Sequence, residues 1–199
     1  MNWRGIVRWF LSYGYSSHSD SSSCLHVLAA SSRPLLKHEK SKVSLTGNDL
    51  ARLRPGSWLN DELINLYMRL LQDRDTRVHT NGKTDYPKCH FFNSFFLSKL
   101  YKDTGSYDYN SVRRWTAPAR LKAGGQSRTS ILDCDRIIVP VNQSNMHWVC
   151  AVIDLENKRL EYYDSLKVRY AFKTSIRYSI WCYSLIFWCR EKTVNASHI

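Results

Sequence analysis

The 199-residue chain has no paired CxxC spacing, no long apolar run and too few acids to balance its bases. Each shortage closes off a class of protein. The six cysteines, Cys24, Cys89, Cys134, Cys150, Cys182 and Cys189, are scattered, which argues against a zinc ribbon or a small secreted disulfide scaffold and for a reducing compartment. Neither a metal nor another cofactor is expected. The nearest candidate for a membrane span, Tyr178 to Cys189, is flanked by Arg177 and Arg190 and falls short of the roughly 20 residues a helix needs to cross a bilayer. Lys and Arg number 29 against 17 Asp and Glu, a net charge of +12. Such a surface suits nucleic acid, an anionic membrane or an acidic protein face, and the sign does not choose among them. No nucleic-acid-binding motif accompanies the charge, so neither nucleic acid nor membrane is the expected partner.

The length suffices for one compact domain with a sizeable core. Residues 1–40 are Ser-rich and carry Arg4, Arg8 and Arg33 with only Asp20 and Glu39 as acids; a poorly ordered leader is expected, with a transit-peptide-like segment as the alternative. A composition shift near Lys40 places the start of the domain at residue 41. Pro55 and Gly56 then break the chain, Asn60 supplies an N-cap, and Asp61 and Glu62 put negative charge in a first helical turn. Leu59 and Ile64 are spaced as a hydrophobic staple. Leu63, Leu66, Tyr67, Leu70 and Leu71 recur at helical spacing, so a helix is predicted as far as Leu71 and a turn-rich segment from Gln72 to Lys88. A second short helix, capped by Asn93 or Ser94, should point Phe95, Leu97 and Leu100 inward, and Val112 to Thr116 read as a further helical or irregular piece. The stretch from Gly124 to Thr129 reads as a surface loop.

The period then changes. Arg136–Val141, His147–Asp154 and Arg159–Asp164 are rich in β-branched and aromatic residues and are separated by turn residues, as expected of an antiparallel meander. Pro140 points to an edge or a strand end, and Cys150, within an apolar run, reads as a small core residue. The fold class is α+β, N-terminal helices followed by a β-meander. With the second hairpin turning between Asp154 and Lys158, His147 is expected opposite Asp164, Val149 opposite Tyr162 and Ala151 opposite Leu160. A carboxylate so placed fixes the tautomer and orientation of the imidazole, as the base and orienter of a nucleophilic triad require. Alone, such a pair is more often a surface ion pair than half of an active site.

The segments W58-L-N-D61, F91-F-N-S-F-F96, V112-R-R-W-T116, V139-P-V-N142, H147-W148 and Y163-D-S-L166, in this order, resemble the Ulp1/SENP family of SUMO-specific cysteine proteases, especially its plant members, over roughly Ser41 to Lys167. The resemblance implies a truncated papain-like fold, with His147 as catalytic base and Asp164 as its orienter. Trp58 and Trp148 would be the aromatic walls over the diglycine tail of the ubiquitin-like substrate, a slot that only residues without Cβ atoms thread; either could instead be core. Asp61, Arg113 and Arg114 resemble positions near the SUMO-binding surface, or are solvated charges. By analogy the chain is expected to be a monomer, to meet SUMO or SUMO-conjugated proteins, and to act in the nucleus, with the cytoplasm as a second location.

The resemblance ends at Lys167. The family's nucleophile is a cysteine in a Q…D-C-G motif some tens of residues after the aspartate, whereas residues 168–199 hold no glutamine, no glycine and no Asp-Cys pair. Cys182 and Cys189 each follow a tryptophan in an apolar setting that disfavours the thiolate, so no nucleophile is assigned. Three outcomes follow: a protease by family that is inactive as this chain, a non-catalytic SUMO-binding module or splice-derived fragment, or a protease for another diglycine-tailed modifier such as NEDD8. Without the nucleophile helix one apolar sheet face should be uncovered and stability marginal. The codons for Lys167-Val168-Arg169 can be written as an exon end followed by a splice donor, so residues from Val168 onward are expected to translate a retained intron or mis-assigned exon. Transcript sequencing should reveal spliced forms that diverge after codon 167; an uninterrupted exon through codon 199 in every transcript would overturn this.

Overall fold

In the computed structural model the described residues are 32–164, apart from 40, 41, 55, 83, 84, 102–105, 127 and 144, together with Trp188. A hairpin comes first: β1 (Pro34–His38) pairs antiparallel with β2 (Val43–Thr46). Its two strands lie on either side of the boundary expected between residues 40 and 41. Thr46 then caps α1 (Gly47–Ala51) through a capping box, accepting from the Asp49 N–H while the Asp49 carboxylate accepts from the Thr46 N–H.

The long helix α2 (Asp61–Thr80) starts where the sequence placed it, with the Asn60 side chain accepting from the Leu63 N–H at 3.1 Å. It does not stop at Leu71. Gln72 and Asp75, which look like loop residues, are buried in the helix because both bind the backbone of β3 (Cys89–Phe91). Gln72 donates to the Cys89 carbonyl and accepts from the Phe91 N–H, and Asp75 accepts from the Cys89 N–H at 2.8 Å. A buried polar group is tolerated when so satisfied. Leu70, assigned to the buried stripe, is 48% exposed, and Met68 is buried instead.

In α3 (Phe95–Leu100) Phe96, Leu97 and Leu100 are buried, while Phe95, predicted inward, is exposed. Asn93 accepts from the Phe95 N–H, so of the two capping candidates it is the one whose side chain bonds the helix start. Residues Arg113–Thr116 form a 3-10 turn, and α4 (Pro118–Ala123) precedes the predicted loop.

The main sheet has the order β3-β4-β5-β6, with β4 (Arg136–Gln143), β5 (His147–Asp154) and β6 (Arg159–Asp164) as the predicted meander. β3 joins it parallel to β4, which makes the sheet mixed rather than purely antiparallel. Pro140 lies inside β4, yet β3 pairs only as far as Ile138, whose carbonyl accepts from the Phe92 N–H. By the two-residue period of a strand, the Pro140 nitrogen points to the same side beyond the end of β3, where β4 is locally an edge and no N–H is needed.

The hairpin register differs from the expected one by two residues. Asp154 pairs with Arg159, Ala151 with Tyr162 and Val149 with Asp164. The cause is a four-residue turn, 155–158, which the buried Asp154 carboxylate caps by accepting from the Asn157 N–H and side-chain amide, both at 2.9 Å. Lys158 takes the left-handed conformation, φ 51°. A two-residue shift preserves which face each side chain occupies.

Both faces of the sheet are covered. Ile138, Cys150 and Val152 pack on Ile64, Met68 and Leu71 of α2. Ile137, Val139, Val141, Val149, Ala151 and Ile153 pack on Phe92, Phe96, Leu97, Leu100 and Val112. This second face was expected to be partly bare. It is buried, and one of its cover residues is the fully buried Trp188, which meets Phe92 and Phe96 edge-on at centroid distances of 5.6 and 5.3 Å. Trp188→Ala should therefore lower stability by about 3–5 kcal/mol, read as a shifted urea midpoint; an unchanged midpoint would show that this tryptophan is no part of the folding core.

Candidate active site

β5 delivers His147 from its first residue, and β6 delivers Asp164 from its last. Because Asp164 pairs with Val149, it lies diagonal to His147 on the same face rather than directly opposite. The diagonal is within side-chain reach. His147 Nε2 and Asp164 Oδ1 are 2.6 Å apart, and the side chains are only 12% and 18% exposed. A short contact in such shelter is a charge-assisted hydrogen bond, stronger than a neutral one. With Nε2–H donating to the carboxylate, the neutral ring carries its lone pair on Nδ1. That nitrogen is buried and has no hydrogen-bond partner among the described residues. An unsatisfied buried acceptor costs about 1–3 kcal/mol, a penalty typical of sites that receive a group from elsewhere. The arrangement is that of a general base with its orienter in place.

Trp58 stands over this pair. Its indole is 55% exposed and meets the His147 ring edge-on, with centroids 6.2 Å apart and planes at 84°. Trp148, the residue after His147, projects from the other face of β5 into the core under α2 and is 6% exposed. Its indole N–H donates to the Leu59 carbonyl at 2.8 Å, so it meets the site through the neighbour of Trp58. Asp61 opens α2 and is half-buried, while Arg113 and Arg114 are exposed on their 3-10 turn. His147 thus meets both Asp164 and Trp58, and Trp148 bonds the residue after Trp58; Asp61 follows at the start of α2, and the two arginines occupy a different surface element.

Three of the six cysteines are described, and all are buried. Burial pushes the thiols of Cys89 and Cys150 up to about 12 and that of Cys134 up to about 11, the last in spite of its contact with the Arg128 guanidinium. Cys150 sits on the face of β5 opposite to His147, in the core as the sequence suggested. None of the three is an activated thiol. Cys24, Cys182 and Cys189 lie outside the described residues.

Residues 57–183 match the C-terminal catalytic domain of the Ulp1 protease family. This chain belongs to that family. It is 43% identical to ubiquitin-like-specific protease 1A of Arabidopsis thaliana over 141 residues, 71% of this chain and 26% of that protein. It is 38% identical to sentrin-specific protease 2 of Homo sapiens over 125 residues, 63% of this chain and 18% of that one. A structure of the SUMO protease Ulp1 with its catalytic cysteine oxidised to a sulfinic acid superimposes with a TM-score of 0.64 at 26% identity, covering 89% of this chain and 68% of that one. The chain therefore spans about a quarter of the Arabidopsis relative and less than a fifth of the human one. The Ulp1-family match runs past Lys167, where the sequence resemblance ended, and takes in Cys182.

What reading the Ulp1-type motifs missed is the scaffold beside Trp58. Arg52 donates to the Trp58 carbonyl at 3.4 Å, and the Asn60 amide donates to Asp49 Oδ1 at 2.6 Å. The signal was present: T46-G-N-D49 has the spacing of a capping box.

The raised thiols imply a pH dependence. Relative to their ordinary value of 9.0, Cys89, Cys134 and Cys150 hold protons in the folded state up to about 12, 11 and 12. Between pH 9 and 11 the unfolded chain binds fewer protons than the native one, so stability falls as pH rises through that window. Denaturant titrations from pH 8 to 10.5 should show the midpoint declining, and mass mapping after alkylation of the native chain at pH 8 should find these three unmodified. Rapid labelling of any of them would contradict the assignment.

Proposed function

We propose that this chain is a recognition module of SUMO-protease type that binds SUMO or SUMO-conjugated proteins as a monomer and does not by itself cleave after the diglycine tail. The observation that carries the reading is the His147–Asp164 hydrogen bond of 2.6 Å beneath Trp58, with His147 Nδ1 left open. In a complete site of this type a thiol gives its proton to the imidazole, the thiolate attacks the carbonyl of the terminal glycine, and the imidazolium returns the proton to the departing amine. Here His147 would be the base and Asp164 its orienter, with Trp58 as the exposed wall of the slot and Trp148, expected as a second wall, buried behind it on the other face of β5. Asp61, Arg113 and Arg114 would meet the body of the modifier through charge. The similarity to SUMO and sentrin-specific proteases supports SUMO as the modifier; the nucleus as the place of encounter rests on family analogy.

The absence of a Q…D-C-G segment from residues 168–199 supports binding without cleavage. Among the described residues His147 Nδ1 has no hydrogen-bond partner, and a base without a thiol in reach leaves recognition intact and the first chemical step without a nucleophile. The test uses the full chain with SUMO, a SUMO precursor and a SUMO vinyl-sulfone probe. Capture of SUMO is expected, with no precursor processing and no covalent adduct; Trp58→Ala should weaken capture about tenfold, a change of about 1.4 kcal/mol. An adduct at Cys182 or Cys189 would make the chain a protease, and capture of NEDD8 in preference to SUMO would reassign the modifier.

A further inference from the structure

Three consecutive residues at the Trp58 loop are each held by a different part of the fold. The Trp58 carbonyl accepts from Arg52, just past α1; the Leu59 carbonyl accepts from the Trp148 indole of β5; and the Asn60 amide donates to Asp49 within α1. Asp49 is itself fixed, because the oxygen opposite the one facing Asn60 accepts from the Thr46 N–H at 2.8 Å and from its hydroxyl at 2.7 Å. Those Thr46 hydrogen bonds, ahead of the contribution from Asn60, hold its carboxyl below the usual range, so Asp49 is an acceptor on both sides at neutral pH. Asn60 meanwhile caps α2 through its other side-chain atom. The loop is therefore spanned between α1, α2 and the sheet, and the residue it presents is the half-exposed Trp58 over His147.

We propose that Trp148 and Asp49 are positioning residues, with Arg52 in support, which together set the height of the Trp58 indole above His147 and so determine that the slot admits a tail without side chains. This rests on the reading of the site as a diglycine slot. The clamp works through both faces of one strand: His147 forms the floor from one side of β5, and the next residue, Trp148, ties down the roof from the other side. A register error in β5 would thus move floor and roof tie together. Hydrogen bonds to the carbonyls of two adjacent residues fix the backbone that carries the indole, and its exposed face is left as a contact surface for ligand.

Two readouts on the full chain test this. The first is the NMR shift of the carbon-bound ring protons of His147, which the Trp58 ring current displaces. Trp58→Ala defines the position without the indole. Trp148→Phe, which keeps the aromatic packing and removes the N–H, and Asp49→Asn should move the signal toward the Trp58→Ala position. Arg52→Met, at an exposed site, should move it less and in the same direction. The second readout is affinity for SUMO ending in two glycines against SUMO lacking them. The gain due to the tail should fall about threefold to tenfold in Trp148→Phe and Asp49→Asn, the range that loss of one hydrogen bond spans, while affinity for the tail-less modifier stays unchanged.

His147 signals that remain at the wild-type position in both variants, or that Trp58→Ala fails to move, would overturn the clamp. So would equal losses for tailed and tail-less SUMO, the mark of a merely structural role. If the wild-type chain shows no preference for the tail, the slot reading falls, and the NMR arm still decides whether the clamp positions Trp58.

Discussion

The alternation of side chains along β5 is the constraint on which the rest of the structure depends. From His147 onward, odd-numbered residues point to one face and even-numbered residues to the other. Val149, Ala151 and Ile153 close the core beneath α3, and the same face carries His147. Trp148, Cys150 and Val152 close the core beneath α2. Apolar burial at about 25 cal/mol per Å² acts on both sets at once. No slip of one residue is available to the strand, because it would drive the histidine into the α2 core and carry Trp148 out of it to the opposite face.

That constraint turns burial into chemistry. Hydrophobic packing fixes β5, β5 fixes β6 through the capped turn at Asp154, and β6 brings Asp164 within 2.6 Å of His147. Shelter shortens and strengthens the bond, and the bond in turn assigns the proton to Nε2. The same shelter acts oppositely on Cys89, Cys134 and Cys150, where there is no compensating partner of sufficient strength and the thiols are held neutral. One interior thus holds a histidine bonded to a carboxylate at the right diagonal and three cysteines kept as neutral thiols.

The sequence was most legible where local chemistry and the tertiary fold agree. Asn60 and the acids after it marked the start of α2 because a cap satisfies backbone N–H groups wherever it occurs. The three meander strands stood out by their β-branched residues. Reading failed where a partner distant in sequence decides. Gln72 and Asp75 look like loop residues until β3 offers them its backbone; Phe95 looks apolar enough for the core, but Phe96 and Leu97 fill it. The register of β5 with β6 was misjudged by two because the side chain of Asp154 chose a four-residue turn. The site survived that error, since a shift of two keeps Asp164 on the face of His147.

Residue types and order alone therefore determined the family, the shared face of His147 and Asp164, and the absence of an Asp-Cys pair from residues 168–199. These depend on which chemical groups are present and on a strand's two-residue period, both of which are local properties. Only the tertiary structure decided that Trp148 is buried with its N–H on Leu59, that Asp49 and Arg52 serve the Trp58 loop, and that Trp188 fills the core beside Phe92 and Phe96. Each of those is a contact between segments far apart in the chain, or a choice among competing partners, and its free energy exists only once the two surfaces have met.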